Sequence, residues 1–275
     1  MIVKNLVITC KIILMVTLFM IFIEYVELRY KEKISKLFLG RSLAQYVVAS
    51  LLGAVPGCMD AFLVVSLYIH GLVSFGALTS VMLSTAGDEA FIMLTLVPQA
   101  ALVIFASNIV LGIIGGFLSD RFVDSLHLQT SQHCQIEAHD AFSNEHFLRE
   151  HVCRHILLKH VPRLFFWIFV PLTVIEYLMV FSDLALFLSS LPKLLLIIFA
   201  ALIGMIPESG PHMVFLILFS RGMIPFSALL VSTLSQDGHG LLPLLSHSRR
   251  DTILIQLFTT IFSLIVGIVL YLWGV

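Results

Sequence analysis

The sequence predicts an all-α, polytopic membrane protein with about ten transmembrane segments in two inverted repeats that contain broken or re-entrant helices. Of its 275 residues, 59% are hydrophobic and only 12% are charged, and the mean hydropathy is +1.03. Soluble domains carry about 25% charged residues, so this composition indicates a chain that lies in a bilayer. In addition, the segment 202–245 aligns without a gap on the segment 51–94.

The alignment of the two copies preserves residues that set backbone geometry. The identical pairs include Gly53 and Gly204, Pro56 and Pro207, Gly71 and Gly222, and Gly87 and Gly238. The apolar run of each copy is interrupted at two matching points, which are 56–60 and 86–89 in the first copy and 207–212 and 237–239 in the second. The apolar pieces between these breaks are too short to cross about 30 Å of hydrocarbon. Each copy therefore contains broken helices or re-entrant hairpins.

The first apolar run, 12–23, follows Lys4 and has the length of a signal-peptide core, but no small-x-small cleavage site follows it. Ile-Glu-Tyr at 23–25 recurs at 175–177, so we predict that this first helix belongs to the repeat. The next segment, 27–41, is rich in Lys and Arg and is therefore predicted to be cytoplasmic. Beyond the broken pieces, 98–118 is long enough to span the membrane.

The chain divides into a first transmembrane repeat (1–119), a His-rich polar cytoplasmic linker (120–160) and a second transmembrane repeat (161–275). Seven of the eleven histidines lie in the linker. The second repeat contains a span at 164–180, broken pieces over 191–245 and a final span at 253–273. The basic loop, the linker and Arg249-Arg250 lie on one side of the membrane if each half crosses it an odd number of times, which favours inverted repeats.

Ionisable side chains lie at or beside the breaks of both copies. A charged side chain inside hydrocarbon costs about 2.5 to 3.5 kcal/mol, so it normally faces a partner or a water-filled cavity. Helix breaks also free backbone groups that lipid cannot satisfy. We therefore predict a substrate or metal site formed by Asp60, Asp88, Glu89, Glu208, His212, Asp237 and His239, with Cys58, Ser84, Ser235 and Gln236 as accessory residues.

The predicted ligands are mostly oxygen with some nitrogen. Such a set suits Mn²⁺, Fe²⁺, Co²⁺ or Zn²⁺ better than Cu⁺, which prefers sulfur. The same carboxylates can carry protons, so metal and proton would compete for one site. There are competing interpretations: Asp88 and Asp237 as helix caps, His212 and His239 as hydrogen-bonded buried histidines, and Ser84 and Ser235 as donors to a carbonyl one turn back.

A second metal-binding surface is predicted in the linker. His151 and His155 share one helical face, and His146 lies close to them in sequence. The competing interpretation is a solvated loop whose histidines bind nothing. The prediction of metal transport does not depend on which interpretation of the linker histidines is correct.

Three motifs resemble the ten-transmembrane heavy-metal exporter family. They are Gly-Asp-Glu-Ala-Phe at 87–91, Pro-Glu-Ser-Gly-Pro-His at 207–212 and Ser-Gln-Asp-Gly-His-Gly at 235–240. The resemblance covers about 43–119 and 192–273, and the linker is outside it. Members of this family are described as manganese transporters or arsenic efflux proteins. The resemblance thus implies export of a metal or metalloid without ATP hydrolysis, and the chain has no phosphate-binding loop.

We therefore expect a multi-pass transporter of the inner membrane, and not an enzyme, that exports a divalent metal ion, first of all Mn²⁺. Its expected partners are the lipid bilayer, the metal ion, protons as the coupling ion and a second copy of the chain. We expect no permanently bound cofactor and, from a net charge of -1, no nucleic acid.

Three alternatives stay open. The first is an efflux permease for arsenite, organoarsenicals or another anion, for which more thiols than Cys58 near the breaks would be expected. The second is an intramembrane metal-dependent enzyme, although no His-Glu-x-x-His is present. The third is a metal sensor that uses the linker.

Overall fold

The computed structural model describes residues 42–57, 59–69, 71–126, 190–206 and 209–274, together with isolated helical residues between 2 and 21 and between 162 and 177. All regular elements in this part of the chain are helices. The first repeat contributes α1 (Ser42–Gly53), α2 (Met59–Ile69), α3 (Phe75–Ser84), α4 (Glu89–Leu96) and α5 (Pro98–Ser125). The second contributes α6 (Lys193–Gly204), α7 (Ser209–Ser220), α8 (Phe226–Ser235), α9 (Leu241–His247) and α10 (Arg249–Leu272), with a 3₁₀ helix (Gly238–Gly240) before α9.

The helices of the two copies begin and end at aligned positions. Helices α1 and α6 match from end to end, as do α3 and α8, and the long helices α5 and α10 start at equivalent residues. The aligned glycines share their backbone conformation: φ is 72° at Gly71 and 71° at Gly222, and 51° at Gly87 and 58° at Gly238. Positive φ favours glycine over other residues. The predicted internal repeat is thus present in the structure, and backbone geometry accounts for its invariant glycines.

The helices interrupted by the breaks lie inside the protein. Among the described residues, three segments are long and apolar enough to cross a membrane: Phe75–Leu96, Pro98–Ser125 and Arg249–Leu272. The first contains the break between α3 and α4 and is 94% buried, whereas the other two are 33% and 28% buried. Helices α5 and α10 therefore present large apolar faces to lipid and surround a core made of broken helices.

Within each repeat, three helices form a compact unit. Helix α3 packs against α1 and α5, and α8 packs against α6 and α10 in the same way. Small residues allow the closest approach: Gly53 lies directly against Ser84, and its counterpart Gly204 lies against Ser235. Small residues at helix crossings let backbones approach closely inside membranes.

The two repeats contact each other in reciprocal pairs. Helix α7 of the second repeat packs on α4 of the first, while α2 of the first packs on α9 and the 3₁₀ helix of the second. Likewise α8 packs on α5, and α10 packs on α3. Such an exchange of partners is the pattern of a pseudo-two-fold arrangement. It brings the second breaks of both copies, 85–88 and 236–240, to the interface between the repeats.

Helix α5 differs from the prediction because it continues to Ser125, past the boundary placed at residue 119. Asp120, predicted as the first residue of the linker, accepts a 2.6 Å hydrogen bond from the Tyr46 hydroxyl and a 2.5 Å bond from the Gly76 N–H. A carboxylate at the first turn of α3 stabilises that helix end. The remaining linker, 127–160, lies outside the described residues.

Candidate functional site

Glu89 is the first residue of α4, directly after the second break of the first repeat. Its side chain is fully buried, and neither carboxylate oxygen has a hydrogen-bond partner among the described residues. The polar group that faces it is the side chain of Gln236, from the matching break of the second repeat. No hydrogen bond of normal geometry joins the two groups, because both polar atoms of Gln236 also lack a partner. A carboxylate and an amide from opposite repeats thus meet in the interior with unused hydrogen-bonding capacity.

Asp237 occupies the second break of the second repeat, between α8 and the 3₁₀ helix. Its exposed fraction is 1%, and its two carboxylate oxygens likewise have no hydrogen-bond partner in the described part of the chain. The nearest polar group is the hydroxyl of Thr259, about halfway along α10. Each repeat therefore buries one unsatisfied carboxylate at its second break.

His212 lies in the first turn of α7, the helix that packs against α4. Its Nδ1 atom is 3.0 Å from the Ser232 hydroxyl, whereas its buried Nε2 atom has no partner among the described residues. The competing interpretation of His212 as a fully hydrogen-bonded core residue therefore holds for one ring nitrogen only. The backbone of Ile206 also lies near the ring, without a hydrogen bond of normal geometry to Nε2.

The two buried carboxylates lack a described group that would offset the cost of their burial. An isolated buried charge is very costly, so buried carboxylates are paired, bind a metal or take up a proton. Within the described ranges, no hydrogen-bond donor of normal geometry reaches Glu89 or Asp237. No described group compensates the two carboxylates, and a cation or protons would do so.

Helix capping does not account for the acidic residues at the breaks. Asp88 occupies the N-cap position of α4, but its side chain makes no capping hydrogen bond. Asp237 makes no side-chain hydrogen bond within the described ranges. Ser84 and Ser235, in contrast, follow the competing interpretation: each hydroxyl donates a 2.8 Å bond to a carbonyl one turn back, those of Ser80 and Val231. The hydroxyl hydrogens of the two serines are thus used within their own helices, and the accessory role of these residues stays a prediction.

Several predicted ligands fall outside the described side chains. Asp60 lies in α2 and His239 in the 3₁₀ helix, but their side chains are not described, nor is any part of Cys58, Glu208, His146, His151 or His155. Among the side chains that are described, no three of His, Cys, Asp and Glu lie close enough together to hold a metal ion. Convergence of the full predicted set on one metal therefore stays a prediction.

Sequence reasoning missed three buried polar residues at this interface. Asn108, in the middle of α5, donates a 3.4 Å hydrogen bond from its amide nitrogen to the Thr233 hydroxyl on α8. Asn108 aligns with Thr259, the neighbour of Asp237. An amide in the middle of an otherwise apolar span was the available signal, because polar groups at that depth are costly and normally functional.

A further buried contact joins the repeats near the start of α10. The Tyr68 hydroxyl on α2 donates a 2.8 Å hydrogen bond to Asp251. The Asp251 N–H donates to the Ser248 hydroxyl, which caps α10. The Ser-x-x-Asp spacing of 248–251 is a helix-start pattern that could have revealed this N-terminus.

Comparison with known proteins gives the family. A family model described as "Putative, 10TM heavy-metal exporter" matches residues 8–183 and 123–274, so the two matches extend over nearly the whole chain. No curated protein and no solved structure was found to match. The resemblance inferred from the three motifs is confirmed. With its apolar helices and its broken core, the chain is a multi-pass membrane protein that belongs to the ten-transmembrane heavy-metal exporter family.

Proposed function

We propose that the protein is a secondary transporter of the inner membrane that exports a divalent metal ion, preferentially Mn²⁺, in exchange for protons. The observation that supports this proposal is the pair of buried carboxylates, Glu89 and Asp237, contributed by the second breaks of the two repeats without a described partner. A cation resolves the electrostatic cost of both groups, whereas an anion increases it.

The groups around these carboxylates favour a hard or borderline divalent ion. Gln236 faces Glu89 and Thr259 faces Asp237, and both side chains offer oxygen atoms. In the structure, His212 does not form one metal-holding group with the two carboxylates. Carboxylate, carbonyl and hydroxyl ligands suit Mn²⁺. Cys10, the one cysteine that the structure describes, is exposed, whereas the two carboxylates are buried. Thiophilic cargo such as arsenite therefore finds little support here.

Proton exchange follows from the same electrostatics. When the metal leaves, bare carboxylates in a buried site would be strongly destabilised, so protons take its place. The transporter then changes between its two alternating-access conformations while the charge of the site is neutralised either by the metal ion or by protons. Movement of the empty, doubly charged site is disfavoured, and this couples the metal flux to the proton flux.

The arrangement of the repeats suits alternating access. Transporters with inverted repeats bind their substrate near the bilayer midplane, between discontinuous helices at the repeat interface. In this protein the two second breaks lie at that interface, and the long helices α5 and α10 surround them. We place the 27–41 loop, the linker and Arg249 in the cytoplasm because basic loops stay on that side.

Transport by the purified protein in proteoliposomes tests the proposal. An imposed pH gradient should drive Mn²⁺ accumulation by the wild-type protein, and Glu89→Gln or Asp237→Asn should each abolish it. Asp124→Asn is the matched control, because Asp124 is an exposed acidic residue near the end of α5. Mn²⁺ transport that survives both neutralisations, or arsenite transport without Mn²⁺ transport, would overturn the proposal.

A further inference from the structure

Asn108 is held in one orientation by its hydrogen bonds. The Thr233 hydroxyl donates its only hydrogen to the Leu230 carbonyl, at 2.9 Å. It can therefore only accept from Asn108, whose amide nitrogen lies 3.4 Å away. Because the amide nitrogen of Asn108 faces the Thr233 hydroxyl, the side-chain carbonyl oxygen of Asn108 is directed away from that hydroxyl. That oxygen is fully buried and has no hydrogen-bond partner among the described residues.

The packing of α3 and α5 determines what lies next to Asn108. The two helices run antiparallel, because Asp120 near the end of α5 binds Gly76 at the start of α3. Further back along α5, Gly112 faces Ser84 at the end of α3, with 3.4 Å between the Ser84 Cβ atom and the position that a Gly112 Cβ would take.

One more turn back along α5 reaches Asn108, four residues before Gly112. A helical turn advances about 5.4 Å, so Asn108 lies level with residues that follow the end of α3. These are the residues of the break, 85–88, which lead directly into Glu89. Asn108 thus lies beside the break of its own repeat while it bonds to α8 of the other repeat.

The second repeat has the same arrangement. Thr259 on α10 is the residue that aligns with Asn108, and Thr259 faces Asp237 in the break of its own repeat. Each long helix therefore presents one uncharged oxygen-bearing side chain, at the same height, to the break that carries a buried carboxylate.

We infer that Asn108 is a cargo-binding residue whose side-chain carbonyl oxygen is a neutral ligand of the transported cation. This inference rests on the proposed function. The oxygen is buried, lacks a partner among the described residues and has a fixed orientation, so it offers a preorganised hard ligand near the break that leads into Glu89. A neutral ligand adds coordination without adding charge, so the charge of a divalent ion still balances that of two carboxylates. Thr233 is then a positioning residue, which acts through Asn108.

Metal binding to the detergent-purified full-length protein, measured by calorimetry with Mn²⁺ and with Zn²⁺, tests the inference. Asn108→Ala should weaken Mn²⁺ binding about tenfold or more. Asn108→Asp, which keeps an oxygen ligand but loses the hydrogen bond to Thr233, should retain more Mn²⁺ binding than Asn108→Ala. Asn108→His, which offers nitrogen instead, should shift the preference from Mn²⁺ towards Zn²⁺. A merely structural role for Asn108 would not change metal preference.

Ser107→Ala is the matched control, because Ser107 is the neighbouring residue and its hydroxyl bonds only the Val103 carbonyl at the helix surface. Glu89→Gln separates the two claims. If Glu89→Gln loses Mn²⁺ binding while Asn108→Ala behaves like Ser107→Ala, the role of Asn108 is refuted and the proposed function stands. If the wild type does not bind Mn²⁺, or Glu89→Gln binds it normally, both claims fail together.

Discussion

Glu89 and Asp237 are the residues on which the account depends. Both are acidic, both are buried at the second break of a repeat, and neither has a hydrogen-bond partner in the described part of the chain. Protein interiors rarely keep such groups, because an unpaired buried carboxylate opposes folding. Their presence indicates a site whose stability is given up for binding.

Neutralising Glu89 should therefore separate stability from ligand binding. We expect metal-free Glu89→Gln protein to be at least as thermostable as the wild type, because a buried amide needs neither a counter-charge nor the uptake of a proton. Mn²⁺ at 100 times its Kd should stabilise the wild type by about 2.7 kcal/mol and the variant hardly at all. Thermal unfolding in detergent, with and without Mn²⁺, measures both effects. Equal metal-induced stabilisation of the two proteins would contradict the assignment.

Sequence reasoning predicted part of the proposed site. Glu89, His212 and Asp237 were predicted because they follow helix breaks, and the structure buries all three. Asn108 was not predicted, since it lies in an unbroken helix. Its contact with α8 depends on how the two repeats pack. The spacing of residues along the sequence shows which residues lie at a helix break. It does not show which residues of another helix pack next to that break.

At the level of helices, the two repeats share the same close contacts between helices, as they share the sequence that forms them. Gly53 against Ser84 and Gly204 against Ser235 are equivalent contacts, and both serines bond a carbonyl one turn back. The breaks and their glycines could be predicted, because positive φ demands a residue without Cβ. The extension of α5 to Ser125 could not, because it depends on Asp120 contacting residues far away in sequence.

Gly204→Ala should destabilise the protein because the new methyl group would overlap the side chain of Ser235. Overpacking of this kind costs about 1 to 3 kcal/mol. The double variant Gly204→Ala with Ser235→Gly should recover part of the loss, since the clash is with the Ser235 side chain. Leu202→Ala is the control, because Leu202 lies on the exposed face of the same helix. Thermal unfolding of the four proteins measures the effect, and a stable Gly204→Ala variant would refute the packing argument.

At the level of the molecule, the reciprocal contacts between repeats define a pseudo-two-fold relation, and the charge pattern predicts that the axis inverts one repeat relative to the other. The duplication was predictable because its glycines recur in register. The set of contacts between the repeats was not, because α7 on α4 and α2 on α9 join segments far apart in sequence.

The inverted topology predicts that equivalent helix ends lie on opposite sides of the membrane. In a cysteine-free background, Asp124→Cys at the end of α5 should react with an impermeant thiol reagent only from the cytoplasm. Trp273→Cys at the end of α10 should react only from the outside, and both positions are exposed. Labelling of intact cells and of inverted vesicles distinguishes the two sides. If both cysteines react from the same side, the repeats are parallel and the topology is wrong.

The most direct test of the central claim is a measurement of proton release when Mn²⁺ binds to the purified protein in weakly buffered solution. If metal and protons compensate the same two carboxylates, addition of Mn²⁺ should release protons from the wild type and from Asp124→Asn. Release should fall in Glu89→Gln and in Asp237→Asn, and binding should weaken as the pH is lowered, because protons compete for the carboxylates. Mn²⁺ binding without proton release, or release that is unchanged in both variants, would contradict the account.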